Sequence, residues 1–337
     1  MAAAVVPRRT AKVLVCIALS GLVIYLYFSF RSPYSPKYPN FSANFLDREF
    51  QYSLDPPDVR FCDQISDNIT VVALIITAPA NFEKRNDARN TWMYDKGNPA
   101  DIQVRFIVGR TTNASLEAEI AEEQRKYKDI LRYNYLDTYD LLPIKVHAAF
   151  NFFQTFCPSV KYFLKIDDDV VADLNRLSYH INNSFDHIKR RDFFACFVWA
   201  KPPVIRHKTS RFYVSEAEYP DKKYPHVCSG PAYLMTNEAV WKILKTIPSL
   251  KFFKFEDILI SGTARQKSNI QLISSMIVDG NSATHPIRVA FCDFNGVPLP
   301  ATMRFATPVT NVSAAYQEFK SLTCNRTLSR PNKLIFT

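Results

Sequence analysis

The chain has 337 residues, 47% of them hydrophobic and 14% aromatic, with a formal net charge of +10. That much apolar material excludes a disordered chain and is enough for a substantial core, with one catalytic domain as the simplest division. The basic residues are scattered rather than gathered on one helix or tail, which argues against nucleic acid and for a small anionic substrate.

Residues 13–30, VLVCIALSGLVIYLYFSF, carry no charge, and as a helix they would measure about 27 Å, close to the thickness of a hydrocarbon core. Bulky apolar residues follow the small-residue stretch Ala18-Leu19-Ser20, so the segment reads as an anchor rather than a cleaved signal peptide. Arg8, Arg9 and Lys12 before it outweigh the sparser Arg31 and Lys37 after it, which favours a cytosolic N-terminus and a lumenal remainder. Acceptor sequons for N-glycans begin at Asn40, Asn68, Asn113, Asn182, Asn311 and Asn325. Cys16 falls in the anchor, leaving Cys62, Cys157, Cys196, Cys228, Cys292 and Cys324 for pairing in an oxidising compartment, where six cysteines allow 15 connectivities. The expected division is a cytosolic tail over 1–12, an anchor over 13–30, a turn-rich stem over 31–61 and a lumenal domain over 62–337.

Within that domain, residues 69–77 (ITVVALIIT) and 104–109 (VRFIVG) read as buried strands, and 116–127 and 142–156 as helices. Residues 162–166 form the next strand; 193–199 and 232–235 are further candidates, with helices over 238–244 and from about Asp257. Alternation of this kind predicts an α/β fold with a mostly parallel central sheet and no internal repeat.

The strand at 162–166 runs directly into Asp167, Asp168 and Asp169. Three adjacent carboxylates repel one another unless a cation offsets the charge, and strand ends are where open α/β sheets bind ligands. Asp-x-Asp offers hard oxygen ligands suited to Mn²⁺ or Mg²⁺, which in turn would bridge to a diphosphate. The bland alternative is a solvated acidic turn, with Asp173 capping the next helix.

Several segments, in order, resemble the family 31 glycosyltransferases of the β-1,3-galactosyltransferase type. They are RNDARNTW (85–92), FIVG (106–109), DTYDLLPIK (137–145), FCPSVKYFLKIDDDV (156–170), RFYVSEAEYPDKKYPHVCSGPAYLM (211–235) and FEDILISG (255–262). The resemblance implies a GT-A fold, a UDP-sugar donor (UDP-galactose first, or another UDP-hexose) and inverting transfer to a glycan acceptor on a glycoprotein or glycolipid. It also implies a type II enzyme of the Golgi membrane. Asp169 would hold the metal, Asp167 the metal or the nucleotide ribose, and Asp168 would support them. Asp257 matches the family's general base, with capping of the helix at Ile258 as its alternative duty. Arg85 and Arg89 are candidates for the donor phosphates, or for a solvated helix start. Gly230 is a candidate for close approach of backbone to the donor sugar. Trp92 reads as core; Phe212, Tyr219 and Tyr224 read as sugar-facing aromatics or as packing.

Two features depart from the pattern. The family's histidine ligand, in a Val-His-x-x-Ser-Pro context, is matched here by MRFATPVT (303–310), without histidine; His285 is the remaining candidate. Phe212 stands where many relatives carry tryptophan, which bears on the acceptor. Two other readings are a haloacid-dehalogenase-like phosphatase, from Asp167-x-Asp169 after an apolar strand, and a non-catalytic lumenal binding protein. The first normally opens its domain on that motif, whereas here roughly 100 residues of α/β pattern precede it.

Overall fold

The run Val71–Ile76 (VVALII) is buried at every position, as a strand covered on both faces must be. Val71, Ala73 and Ile75 face one apolar core and Val72, Leu74 and Ile76 the other, the period of two expected of a strand. This strand lies at the centre of a ten-stranded mixed sheet in the computed structural model, which describes residues 40–55, 62, 69–283, 289–305, 311–328 and 335–336.

In chain order the strands are β1 (Asn40–Asn44), β2 (Glu49–Asp55), β3 (Val71–Ile76), β4 (Ile102–Arg110), β5 (Ile130–Leu136), β6 (Tyr162–Asp167), β7 (Val170–Ala172), β8 (Phe193–Cys196), β9 (Val198–Trp199) and β10 (Val227–Cys228). They continue with β11 (Ala232–Thr236), β12 (Gln271–Ser275), β13 (Val278–Ala283), β14 (Val289–Cys292), β15 (Thr302–Phe305), β16 (Thr323–Thr327) and β17 (Ile335–Phe336). The large sheet has the order β1-β2-β5-β4-β3-β6-β11-β8-β12-β17. Strands β5, β4, β3 and β6 run parallel, and β11 is inserted antiparallel between β6 and β8. The expected α/β architecture with a parallel-rich sheet is therefore present.

The helix Leu142–Phe156 (α1) has the bounds expected from its pattern, and it buries Phe150 and Phe153 against Phe163 of β6. Asn237–Thr246 (α2) covers the same face; its first turn is capped by the Thr236 hydroxyl, which accepts from the Ala239 N–H.

The stem boundary is corrected. Residues 40–55 of the expected stem fold as β1 and β2, and β2 pairs with β5 through Leu54↔Tyr133. The reason is the alternation in EFQYSLD, which buries Phe50, Tyr52 and Leu54 and exposes Glu49 and Gln51. The Tyr52 hydroxyl ties this edge to His147 Nδ1 at 2.8 Å. The folded unit accordingly begins at Asn40 rather than near Cys62. No helix among the described residues is long and apolar enough to cross a membrane; the segment 13–30 and the tail before it lie outside them.

The six cysteines among the described residues are paired, as Cys62–Cys157, Cys196–Cys228 and Cys292–Cys324. The second bridge joins β8 to β10 beside the site described next.

Candidate active site

Register places the aspartates. Ile76 of β3 lies opposite Asp167, and the Asp167 N–H donates to Pro231 O just before β11, so the triplet emerges at the carboxyl edge of the sheet beside Gly230. After a tight turn, β7 pairs antiparallel with β15, with Arg304 opposite Val170. That pairing brings a residue far away in sequence against the aspartates.

Each of the three carboxylates has its own protein cation. Lys165 Nζ lies 2.5 Å from Asp167 Oδ1, Lys84 Nζ 2.7 Å from Asp168 Oδ1, and Arg304 Nε donates to Asp169 Oδ2 at 2.8 Å. Asp168 also accepts from Asn81 Nδ2 at 2.7 Å. It is turned away from the cleft that Asp167 and Asp169 line, so its expected contact with the nucleotide is not supported. Burial pushes the Asp167 carboxyl up to about 6, against the pull of Lys165.

A second carboxylate pair faces this edge from the segment after Phe255. Glu256 is buried, accepts from the Tyr233 hydroxyl at 2.6 Å, and is pushed up to about 7 by its burial. Asp257 is only partly buried and lines the cleft, and desolvation raises its pKa as well. Its Oδ1 accepts from the Ile258 N–H at 2.9 Å, so the capping duty is real. The expected helix follows as a π-helical turn, Ile258–Ala264. Here Gly262 is required: a Cβ on it would stand 2.8 Å from Val227 Cγ1 and 3.0 Å from Pro225 Cγ.

Between the two carboxylate groups lies a cleft of about 590 Å³. A Cβ built on Gly230 would lie 3.9 Å from Asp257 Cβ, so the floor at this glycine is open to a ligand. Larger surface hollows of about 710 and 800 Å³ lie elsewhere and contain none of the cleft's carboxylates. Phe212 is 41% exposed and Trp199 50% exposed on the cleft rim, whereas Tyr224 is buried against Tyr219 and Phe253. Trp92 is core, as its sequence context indicates.

The reading of Arg85 and Arg89 as phosphate ligands is corrected. Arg85 is fully buried, forks onto Glu123 through Nε and Nη2, and donates Nη1 to Ala78 O. Arg89 forks onto Asp129 and reaches Glu123 with Nη1 at 2.6 Å. Their donors are spent inside the protein, because guanidinium and carboxylate satisfy each other's geometry away from water. His285 lies outside the described residues. Sequence reasoning missed Lys165, Arg211, Trp199 and Arg304 as lining residues. Lys165, a lone charge inside an apolar strand, was the one with a readable signal.

These side chains do not fit a divalent cation. Among the described residues no group of three or more His, Cys, Asp or Glu is placed to hold one. An ion on Asp169 Oδ2 would lie about 4 Å from the Arg304 charge, a repulsion of about 8 kcal/mol at an effective dielectric constant of about 20. Asp169 Oδ1 is buried without a hydrogen-bond partner, one unsatisfied acceptor rather than a ligand set.

Residues 83–276 match the family model described as Galactosyltransferase. The chain belongs to this galactosyltransferase family. It is 30% identical over 217 residues to beta-1,3-galactosyltransferase 2 of Homo sapiens, covering 63% of this chain and 50% of that protein. It is 26% identical over 236 residues to lactosylceramide 1,3-N-acetyl-beta-D-glucosaminyltransferase A of Xenopus laevis, covering 66% of this chain and 61% of that one. The chain thus spans about half to three fifths of the length of these curated relatives. Among solved structures, a glycosyltransferase involved in glycosylation of the major capsid of PBCV-1 aligns at 9% identity with a TM-score of 0.37, over 75% of this chain and 99% of that one.

Proposed function

We propose that this galactosyltransferase-family chain is an inverting hexosyltransferase of GT-A type that moves a sugar, galactose first, from a UDP-sugar to a glycan hydroxyl in β-1,3 linkage. The observation that carries the reading is Asp257, a partly buried carboxylate on the cleft, facing the opening at Gly230 beside the edge of the sheet. The acceptor O–H gives its proton to Asp257 while its oxygen attacks the anomeric carbon. The bond from that carbon to the UDP oxygen breaks, and its electron pair leaves with UDP. Burial of Asp257 raises its proton affinity, which suits a base working near neutral pH. Glu256, held by Tyr233, fixes the segment and is less open to an acceptor.

Trp199 and Phe212 on the rim offer faces on which an acceptor sugar ring can stack. The orphan oxygen of Asp169 is a ready acceptor for a ribose or sugar hydroxyl. We place the domain in the Golgi lumen behind the apolar segment 13–30. In support, the sequon asparagines at 40, 113, 182, 311 and 325 are all exposed, and the cysteines are paired. A screen of the full chain against UDP-galactose, UDP-N-acetylglucosamine and UDP-N-acetylgalactosamine on a glycan acceptor array tests the reading. Transfer of one sugar in β-1,3 linkage is expected; UDP-sugar binding without transfer to any acceptor would leave a binding protein.

A further inference from the structure

We propose that the guanidinium of Arg304 binds the donor's diphosphate through its two Nη groups, in place of a divalent cation. The inference rests on the transferase reading above and concerns how its leaving group is stabilised.

The geometry assigns this work to Arg304 in three steps. Pairing of β15 with β7 fixes its backbone, and the bond from Nε to Asp169 Oδ2 at 2.8 Å fixes the guanidinium plane. Its two Nη groups make no hydrogen bond among the described residues, and its side chain, 37% exposed, lines the cleft that holds Asp257 and Gly230. A guanidinium stays charged at every working pH, and its planar fork matches two oxygens of a phosphate group. Asp169 is then a positioning residue for Arg304 rather than a metal ligand. Lys165 and Lys84 meanwhile offset Asp167 and Asp168, so the acidic triplet needs no further cation to remain charged at the sheet edge. Arg211, whose guanidinium carbon lies 4.5 Å from the centre of the Phe212 ring, adds a second guanidinium to the same cleft.

In the transfer step the electron pair of the broken carbon–oxygen bond arrives on the β-phosphate of UDP. Hydrogen bonds from Arg304 to that phosphate strengthen as its charge grows. The acceptor proton still goes to Asp257, and no other reactant is required.

The test uses the detergent-solubilised full chain and measures UDP binding by calorimetry, once in EDTA and once in Mn²⁺, with manganese electron paramagnetic resonance as a second readout. UDP affinity is expected to agree within about twofold between the two buffers, with no Mn²⁺ taken up in the presence of UDP. Arg304→Gln, checked for a native melting curve, is expected to weaken UDP about ten- to a hundredfold, the loss of charge-assisted hydrogen bonds. Arg304→His, which exchanges the resident cation for a metal-ligating side chain, is expected to restore tight UDP binding only when Mn²⁺ is present. Wild-type binding that requires Mn²⁺ would overturn the inference and leave the transferase reading standing. Absence of UDP binding in both buffers would overturn both.

Discussion

Lys165 stands between two carboxyl groups from different elements: its Nζ lies 2.5 Å from Asp167 Oδ1 and 4.0 Å from Glu256 Oε2, and its side chain is 1% exposed. Despite desolvation, the neighbouring acids raise its pKa, so it remains charged. A buried cation shared by two acids locks the end of β6 to the segment carrying Asp257. Lys165→Met is therefore expected to cost about 3 to 5 kcal/mol, because two carboxyls lose their common partner. In urea denaturation, a cycle with Glu256→Gln should show coupling of at least about 1 kcal/mol; additive losses would mean that the two groups act independently.

Glu256 gives a pH signature. Its proton affinity is raised in the folded state, from 4.5 to about 7, so its stabilising share is complete below pH 4.5 and lost as pH rises to about 7. Glu256→Gln keeps the acceptor for Tyr233 and removes the titration. The variant should gain on wild type by about 3 kcal/mol across that window. The comparison is one of differences, because buried His147, depressed to about 4, has the opposite slope and is common to both proteins. A stability difference independent of pH would show that Glu256 is ionised throughout.

Arg85 and Arg89 separate structure from ligand binding. Arg85→Leu leaves Arg89 as the one remaining cation on buried Glu123 and is expected to cost about 1 to 3 kcal/mol, with UDP affinity of the folded fraction unchanged. A fall in UDP affinity without loss of stability would return these residues to the donor site.

The parts of this site that were legible in the sequence are those set by local pattern. The apolar run 162–166 ended at its aspartates as read, and the helix over 142–156 has the periodicity and length that specify it. Asp257 fell at a helix start because its side chain does cap the next N–H. What escaped depends on pairing between distant segments. Arg304 and Asp169 are 135 positions apart, and only the β15–β7 register joins them. The buried partners of Arg85 and Arg89, Glu123 and Asp129, likewise lie 34 to 40 positions away. The strand Glu49–Asp55 carried a readable alternation, masked by the proline- and tyrosine-containing stretch around it. Within the π-helical turn Ile258–Ala264, Gly262 packs closely on Val227, a contact with no local signal.

Asp257 carries the sharpest prediction, because it performs two tasks that one substitution can separate. Asn keeps the shape and an oxygen that accepts from the Ile258 N–H, so the cap survives, but an amide cannot take the acceptor's proton. Asp257→Asn should therefore melt close to wild type and bind UDP as before, while turnover falls about a hundred- to ten-thousand-fold. Because the group is desolvated, the wild-type rate should rise with pH through a midpoint above the ordinary aspartate value, as the carboxylate forms, and that limb should vanish in the variant. Asp257→Ala removes the cap as well, at an expected cost of about 1 kcal/mol. Near-normal turnover in Asp257→Asn would move the base to another carboxylate, with Glu256 the nearest to test; loss of UDP binding would instead place Asp257 in the donor site.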